Sequence, residues 1–184
     1  KHGSRIAFSY FGEGRRLQDI TYREFYNMIL RISAGLTTMG LSKKRIAILG
    51  ETSVEWVASY LSILATGGVV IPLDRELEID VIEGFLEKVD ADAIIYSGNF
   101  NGKLVHAMNE HPSLKTFIPV KPDEREMALS DKILPLKDII EHGYPIAAKG
   151  YTLPPDKKRE ELAEFLFTSG TTGTSKCVML SQKN

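Results

Sequence analysis

Strand signals and helix signals alternate along most of this 184-residue sequence, and this alternation constrains the fold more than any other feature. Short runs rich in β-branched residues, such as those at 45–49 and 69–74, are separated by segments with apolar residues at helical spacing. Such an order is typical of a largely parallel sheet with helices packed on it, joined by right-handed crossovers. The sequence therefore predicts an α/β domain whose ligands bind beyond the carboxyl ends of the strands.

Two stretches of the sequence carry a capping box, in which a hydroxyl residue stands three positions before a glutamate at the start of a helix. The first pairs Thr21 with Glu24, and apolar residues at helical spacing follow it as far as Gly40. The second pairs Thr52 with Glu55, at the start of a segment that is almost wholly apolar. We therefore expect one helix to begin at each pair, and we expect the second helix to be covered on most sides.

Shorter signals predict the remaining elements. The segment at 5–21 predicts a hairpin that turns at its Gly-Glu-Gly sequence. Further helices are predicted at 78–89 and 102–110, and further strands at 93–97, 116–120, 162–167 and 176–180. The stretch at about 121–155 is rich in proline, and only 136–143 within it favours a helix. We expect an irregular and mobile connection there.

Composition narrows the class of protein. The formal net charge is -1 and no long block of like charge occurs, which argues against a nucleic-acid partner. No apolar run approaches the roughly 18 residues of a transmembrane helix, and the start of the sequence lacks the apolar core of a secretory signal. The histidines show no metal-ligand spacing. The single cysteine, Cys177, excludes an internal disulfide and fits a reducing compartment, so we expect a cytoplasmic protein.

A loop rich in hydroxyl residues and glycine separates the last two predicted strands. Its sequence, TSGTTGTSK, runs from Thr168 to Lys176. The glycines let a ligand approach the backbone closely, and successive backbone N–H groups in such a turn can bind an anion. The hydroxyls add donors or a metal ligand, and Lys176 adds a positive charge. Hydrogen bonds to charged groups contribute about 1.5–3 kcal/mol each, so the sequence predicts a loop that binds a polyphosphate.

Three other motifs share part of this composition. A flexible Gly/Ser/Thr linker does, but such linkers seldom lie between two apolar strands with a lysine at one end. A Walker-type P-loop requires G-x-x-x-x-G-K-[ST] and leads into a helix. Counting from Gly170 places Ser175 at the second glycine, and Cys177 instead of Ser or Thr follows the lysine. The dinucleotide-binding G-x-G-x-x-G turn is absent.

The sequence FTSGTTGTSK, from Phe167, resembles the phosphate loop of the adenylate-forming (AMP-binding) superfamily, which includes acyl-CoA synthetases, aryl-CoA ligases, luciferases and the adenylation domains of peptide synthetases. ITYREF and KRIAILGETSVEWVASYLSILATGGVVIPLD resemble other blocks of that superfamily, in the same order. Together these segments cover most of 15–96 and 162–184, and they look most like bacterial long-chain fatty acyl-CoA synthetases. The resemblance implies that residues 1–184 are the N-terminal portion of the large AMP-binding domain, an α/β fold with flanking helices.

The resemblance also implies the chemistry. A carboxylic acid attacks the α-phosphate of ATP to give an acyl-adenylate and pyrophosphate, and a thiol, commonly that of coenzyme A, then displaces AMP. By position, Thr168 is the expected Mg²⁺ ligand, and Lys176 is the expected catalytic residue that pairs with the phosphates. The residues expected to cradle the β- and γ-phosphates are Ser169, Gly170, Thr171, Thr172, Gly173 and Thr174.

Three positions depart from the superfamily pattern. Ser175 stands at a usual proline, Cys177 at a usual glycine and Gln182 at a usual histidine. The resemblance further implies that the adenine contacts, the acyl pocket and a mobile C-terminal domain follow Asn184, so we expect this chain alone to be inactive. An adenylation domain of a peptide synthetase, an aryl-CoA ligase and a non-catalytic nucleotide-binding module are the alternatives to a fatty acyl-CoA synthetase.

Overall fold

A computed structural model describes residues 2–97, 100, 102–109, 111, 113–154, 158–168 and 176–184, apart from the side chain of Glu13. The strands are β1 (Ile6–Phe11), β2 (Leu17–Thr21), β3 (Arg45–Leu49), β4 (Val69–Leu73), β5 (Ala93–Tyr96), β6 (Thr116–Pro119), β7 (Leu162–Thr168) and β8 (Lys176–Ser181). The helices are α1 (Tyr22–Thr38), α2 (Val54–Ala65), α3 (Ile79–Lys88), α4 (Lys103–Met108), α5 (Glu124–Met127) and α6 (Leu136–Ala148), with a 3-10 turn at Glu13–Arg15. None of the helices in the described part of the chain has the length and apolar character that a membrane crossing requires.

Six strands form one sheet, in the order β6-β5-β3-β4-β7-β8. The first five of these run parallel to one another, and β8 returns antiparallel beside β7. The predicted α/β fold with a largely parallel sheet and flanking helices is therefore confirmed. Because neighbouring parallel strands point the same way, the carboxyl ends of β3, β4 and β7 lie along one edge of the sheet.

Apolar side chains cover both faces of this sheet. Alternate residues of β3 divide between the faces, with Ala47 and Leu49 in one core cluster and Ile46 and Ile48 in the other. The first cluster includes residues of α3 and α4, and the second includes residues of α1, α2 and α6. Burial on both faces explains why the central strands are nearly continuous apolar runs.

The predicted hairpin and the first predicted helix start are confirmed. β1 and β2 pair antiparallel. The hydroxyl of Thr21 accepts a hydrogen bond from the Glu24 backbone, and the Glu24 carboxylate accepts one of 2.8 Å from the Thr21 N–H. The carboxylate also accepts a hydrogen bond of 2.7 Å from the Thr21 hydroxyl. The hydrogen bond from the Thr21 backbone, and then the one from its hydroxyl, lower the pKa of Glu24. α1 ends at Thr38, and Gly40 then takes the left-handed conformation, with a φ of 73°.

The second predicted helix start is wrong by one residue. Ser53, not Thr52, caps α2, because its hydroxyl accepts a hydrogen bond of 3.1 Å from the Trp56 N–H. Ser53 also has the extended backbone of an N-cap residue, with φ -138° and ψ 173°. Two adjacent hydroxyl residues offered two caps, and the sequence pattern favoured the wrong one.

The stretch at 121–155, which we expected to be irregular, contains two helices. α5 is a single turn, and α6 continues to Ala148, beyond the predicted helix at 136–143. Pro145 lies inside α6 and does not end it. The proline content of this stretch therefore misled the prediction, because packing against the rest of the domain outweighs the local preference of proline.

α6 is held by close packing on α1. A methyl group on Gly35 of α1 would collide with the carbonyl oxygen of Ile139, and one on Gly143 of α6 would collide with the carbonyl oxygen of Arg31. The two helices thus approach each other backbone to backbone at a pair of glycines. This contact between distant segments has no local sequence signal, which explains why α6 was underestimated.

α5 is held by a buried carboxylate. Glu126 is 2% exposed, and its Oε1 accepts hydrogen bonds of 2.7 Å from the Tyr96 hydroxyl and from the Gly102 N–H. Burial, and then the interaction with Glu126, raise the pKa of Tyr96 far above its usual range. The pair ties α5 to the end of β5 and the start of α4.

Candidate functional site

The two described ends of the predicted phosphate loop lie directly opposite each other. Thr168 is the last residue of β7, Lys176 is the first residue of β8, and the two are Cα partners in the antiparallel pair. The predicted site residues between them, Ser169, Gly170, Thr171, Thr172, Gly173 and Thr174, lie outside the described residues. The structure therefore brings together the two predicted site residues that it describes.

Thr168 and Lys176 present their side chains to solvent on the same face of this hairpin. Both residues are exposed. Directly opposed residues of an antiparallel pair share a face, with Cβ atoms about 4.5–5.5 Å apart. A hydroxyl and an ammonium group at that spacing can donate hydrogen bonds to neighbouring oxygens of one polyphosphate, and the ammonium adds charge.

The element that follows Lys176 separates this loop from a Walker P-loop. β8 begins at Lys176, where the sequence predicted a strand, and it runs to Ser181 paired antiparallel with β7. A Walker loop instead leads into a helix whose N-terminus faces the phosphates. Lys176 therefore stands at the start of a strand, and one antiparallel ladder joins the two ends of the predicted loop.

Side chains fix β7 on both faces of the sheet. On the face toward α2, the Tyr60 hydroxyl donates a hydrogen bond of 2.9 Å to Oε2 of Glu164. Burial, and then the hydrogen bond and charge of Glu164, raise the pKa of Tyr60 to about 12, so this hydroxyl is protonated at neutral pH. On the other face, the rings of Phe85 and Phe167 stack with their centroids 3.9 Å apart.

Thr168 lies at the wall of a groove on the carboxyl edge of the sheet. This groove has a volume of about 430 Å³ and is lined by Pro72, Leu73, Asp74, Leu77, Phe85, Phe167 and Thr168. A second groove of about 520 Å³ shares Leu73 and Asp74 with it and extends to Gly50, Glu51, Thr52, Trp56 and Arg75. Both grooves lie where an open α/β sheet binds its ligands, beyond the carboxyl ends of the strands.

Charged residues that the sequence analysis did not identify line the second groove. The Arg75 guanidinium is 2.9 Å from the Glu51 carboxylate and 3.0 Å from that of Glu76. Asp74 Oδ1 accepts a hydrogen bond of 2.9 Å from the Glu76 N–H, which fixes the turn after β4. The sequence did carry one signal for Asp74 and Arg75, which is their position at the end of a predicted buried strand. A parallel sheet places functional side chains there.

The first groove carries oxygen donors of the kind that Mg²⁺ prefers. Thr168, which carries a hydroxyl, and Asp74, which carries a carboxylate, are both lining residues of this groove. Mg²⁺ binds through one or two such protein oxygens and completes its shell with water and phosphate oxygens. Within the described part of the chain, no group of three or more histidine, cysteine or carboxylate side chains could hold a metal by itself. These donors fit a cation that is bound together with a phosphate ligand.

Known proteins match this chain over nearly all of its length. The human long-chain-fatty-acid–CoA ligase ACSBG1 is 26% identical over 188 residues, which cover 100% of this chain and 25% of that protein. Surfactin synthase subunit 1 of Bacillus subtilis (strain 168) is 27% identical over 179 residues, which cover 97% of this chain and 4% of that protein. The chain spans about a quarter of the length of the long-chain-fatty-acid–CoA ligases that it matches.

The fold itself also occurs in solved structures. The anthranilate CoA ligase AuaEII, in complex with anthranoyl-AMP, superposes with a TM-score of 0.80 at 19% identity, and the match covers 99% of this chain and 32% of that one. At this identity the likeness shows a shared fold. The sequence profile of the AMP-binding enzymes matches residues 1–184, the whole chain. This chain therefore belongs to the AMP-binding enzyme family.

Proposed function

We propose that the polypeptide carrying this chain is an ATP-dependent acid–thiol ligase, with a fatty acid as the carboxylic acid and coenzyme A as the thiol. The observation that carries the proposal is the pairing of Thr168 with Lys176 beside a groove on the carboxyl edge of the sheet. Membership of the AMP-binding family supports the use of ATP. The long-chain-fatty-acid–CoA ligases among the relatives support the choice of acid.

In the first half-reaction, negative charge develops on the leaving pyrophosphate, which Thr168 and Lys176 are proposed to bind. A carboxylate oxygen of the acid bonds to the α-phosphorus of ATP, and the bond from that phosphorus to the oxygen shared with the β-phosphorus breaks. Pyrophosphate then leaves with the electron pair. The Lys176 ammonium and the Thr168 hydroxyl are preorganised donors for this charge, and the loop residues from Ser169 to Thr174 are proposed to surround the β- and γ-phosphates.

Magnesium, when bound, would neutralise part of the phosphate charge. Thr168 and Asp74 are the described residues that would hold it, since both carry a side-chain oxygen and both line the first groove. In the second half-reaction, the sulfur of the thiol bonds to the acyl carbon and AMP leaves. The isolated 184 residues should not complete either half-reaction, because relatives of this activity are about four times longer.

One observation favours a different acid. The surfactin synthase relative favours an adenylation domain of a peptide synthetase, whose acid is an amino acid. An aryl-CoA ligase is a further alternative, and the anthranilate CoA ligase structure shares the fold of this chain. A nucleotide-binding module without catalysis would keep the loop and perform neither half-reaction.

An exchange of labelled pyrophosphate into ATP tests these alternatives. The whole polypeptide would be assayed with saturated fatty acids of increasing length, benzoate, anthranilate and a set of amino acids. Exchange that depends on a fatty acid, followed by release of AMP when coenzyme A is added, supports the proposal. If exchange occurs only with amino acids or only with aryl acids, the corresponding alternative replaces the proposal. If no acid supports exchange, the result favours a nucleotide-binding module without catalysis.

We also propose a cytoplasmic location. Cys177 is the only cysteine in these 184 residues and is a free thiol in β8, which fits a reducing compartment. Cell fractionation with an antibody against the whole polypeptide would test this, and recovery from an organelle lumen would contradict it.

A further inference from the structure

β7 and β8, with Thr168 and Lys176 at their ends, form a unit that we call the loop arm. Six residue pairs join the two strands of the arm. Toward the rest of the sheet, the described register of β7 with β4 consists of one pair, Val70 with Glu164, whereas β3 and β4 share five pairs. The described pairing thus joins β7 to β8 at six positions and joins the arm to the sheet at the pair Val70 and Glu164, while β7 packs along β4 as closely as β3 does.

Side-chain contacts with two helices add to this attachment. On one face, the Tyr60 hydroxyl of α2 donates its hydrogen bond to Glu164, and the Tyr60 ring stacks on Trp56 with centroids 5.6 Å apart. On the other face, the Phe85 ring of α3 stacks on Phe167. The arm is thus held between two helices, and the contact with α2 is directional because it is a single hydrogen bond to a carboxylate.

Glu164 and Thr168 lie on the same face of β7. Side chains alternate along a strand, so residues four apart point to the same side, here about 13 Å apart at 3.3 Å per residue. Val70, the pair partner of Glu164, belongs to the core cluster that includes residues of α2, which agrees with this placement. A change at Glu164 would therefore rotate or shift the face that presents Thr168 and Lys176.

We propose that the hydrogen bond from Tyr60 to Glu164 is a positioning contact that sets the orientation of the loop arm, and through it the binding of the ATP phosphates. The expected effect on ATP binding rests on the proposed function. The expected effect on the orientation of the loop arm does not. Tyr60 and Glu164 act through Thr168 and Lys176 and do not touch the nucleotide. A direct role for the Glu164 carboxylate is disfavoured, because about 13 Å of strand separates Glu164 from Thr168.

Four variants of the whole polypeptide test the proposal. Tyr60→Phe removes the donor and keeps the ring on Trp56, Glu164→Ala removes the acceptor, and Glu164→Gln keeps an oxygen that can accept the same hydrogen bond. Tyr26→Phe is the matched control, because Tyr26 is 53% exposed on α1 and has no role in the arm. The measurements are hydrogen–deuterium exchange over 162–168 and 176–184, and pyrophosphate exchange with KM determined separately for ATP and for the acid.

The expected result is specific to ATP. Tyr60→Phe and Glu164→Ala should each raise the KM for ATP roughly tenfold, with less than twofold change in the KM for the acid. They should also accelerate deuterium exchange in the arm, whereas Glu164→Gln and Tyr26→Phe stay within about threefold of wild type. The double variant Tyr60→Phe/Glu164→Ala should be no worse than either single variant, because one contact is lost in each case.

Other outcomes overturn the inference. If Glu164→Gln and Glu164→Ala raise the KM for ATP equally and Tyr60→Phe leaves it unchanged, the carboxylate has a direct role. A lowered melting temperature in both disruptive variants with an unchanged KM for ATP would make the contact one of general stability. If the wild type shows no pyrophosphate exchange with any acid, the proposed function fails by itself, and the deuterium exchange of the arm alone then decides whether Tyr60 and Glu164 orient it.

Discussion

Thr168 and Lys176, eight positions apart in the sequence, are paired directly across the antiparallel strands β7 and β8. The pairing closes the loop between them at its base and points a hydroxyl and an ammonium group the same way. Strand pairing fixes the backbones of both residues on folding, so an anion that binds them has to order only their side chains. The predictions that follow test this arrangement and the fold that supports it.

Lys176→Ala should lower turnover by the whole polypeptide on the order of 100-fold. The estimate follows from the loss of one preorganised donor at a site where charge develops. The measurement is acid-dependent pyrophosphate exchange. Lys183→Ala is the control, because Lys183 is exposed after the end of β8 and should change turnover by less than twofold. A less than threefold effect of Lys176→Ala would remove this residue from the main phosphate contacts.

Thr168→Val should weaken the use of ATP roughly tenfold or more. Valine keeps the shape and the strand preference of threonine but removes the hydroxyl, and a hydrogen bond to a charged group is worth about 1.5–3 kcal/mol. Thr168→Ser restores the hydroxyl and should recover most of the activity. The test is the KM for ATP at several magnesium concentrations, and equal kinetics for the valine and serine variants would show that the hydroxyl has no part in binding.

Gly35→Ala and Gly143→Ala should each destabilise the fold by about 1–3 kcal/mol, because the added methyl group collides with a carbonyl oxygen of the facing helix. Gly84→Ala in α3 is the matched control. A methyl group on Gly84 meets no atom within 4 Å, so the variant should be more stable by about 0.5–1 kcal/mol. Urea midpoints of the three variants decide the matter, and similar midpoints for all of them would contradict the close helix contact.

Tyr60 should make stability fall with pH above pH 10. Its pKa is raised from 10.0 to about 12 in the folded chain, by burial first and by Glu164 second. Because the folded pKa lies above the unfolded one, the stabilisation is fully present below pH 10 and is lost as the pH rises toward 12. Wild type should therefore lose stability more steeply than Tyr60→Phe as the pH rises from 10 toward 12, measured by urea unfolding. Parallel curves for the two proteins would contradict the shift.

Local signals predicted much of the fold correctly. The alternation of strand and helix signals predicted the α/β class, and the pair Thr21 and Glu24 marked the start of α1. Such signals act over a few residues, because a cap or an apolar stripe is defined by neighbours along the chain. Where two local signals competed, as at Thr52 and Ser53, the sequence could not choose between them.

Contacts between distant segments account for what the sequence analysis missed. α6 persists through Pro145 because Gly35 and Gly143 let it pack on α1. Asp74 and Arg75 are ordinary surface residues by sequence, and they become groove residues only because β3, β4 and β7 end at the same edge. Glu126 shows no local sign of burial, yet it accepts two hydrogen bonds inside the domain.

The sequence by itself determined the class of fold and the chemical character of the loop from Thr168 to Lys176, because hydroxyls, glycines and a lysine define what that segment can bind. The tertiary structure decided that the two ends of this segment face each other, that β8 runs antiparallel, and that Tyr60 reaches Glu164. The reason is physical. Residue chemistry and local backbone preference depend on each residue and its neighbours in sequence. Strand pairing and helix contacts depend on which distant surfaces fit together when the core is buried.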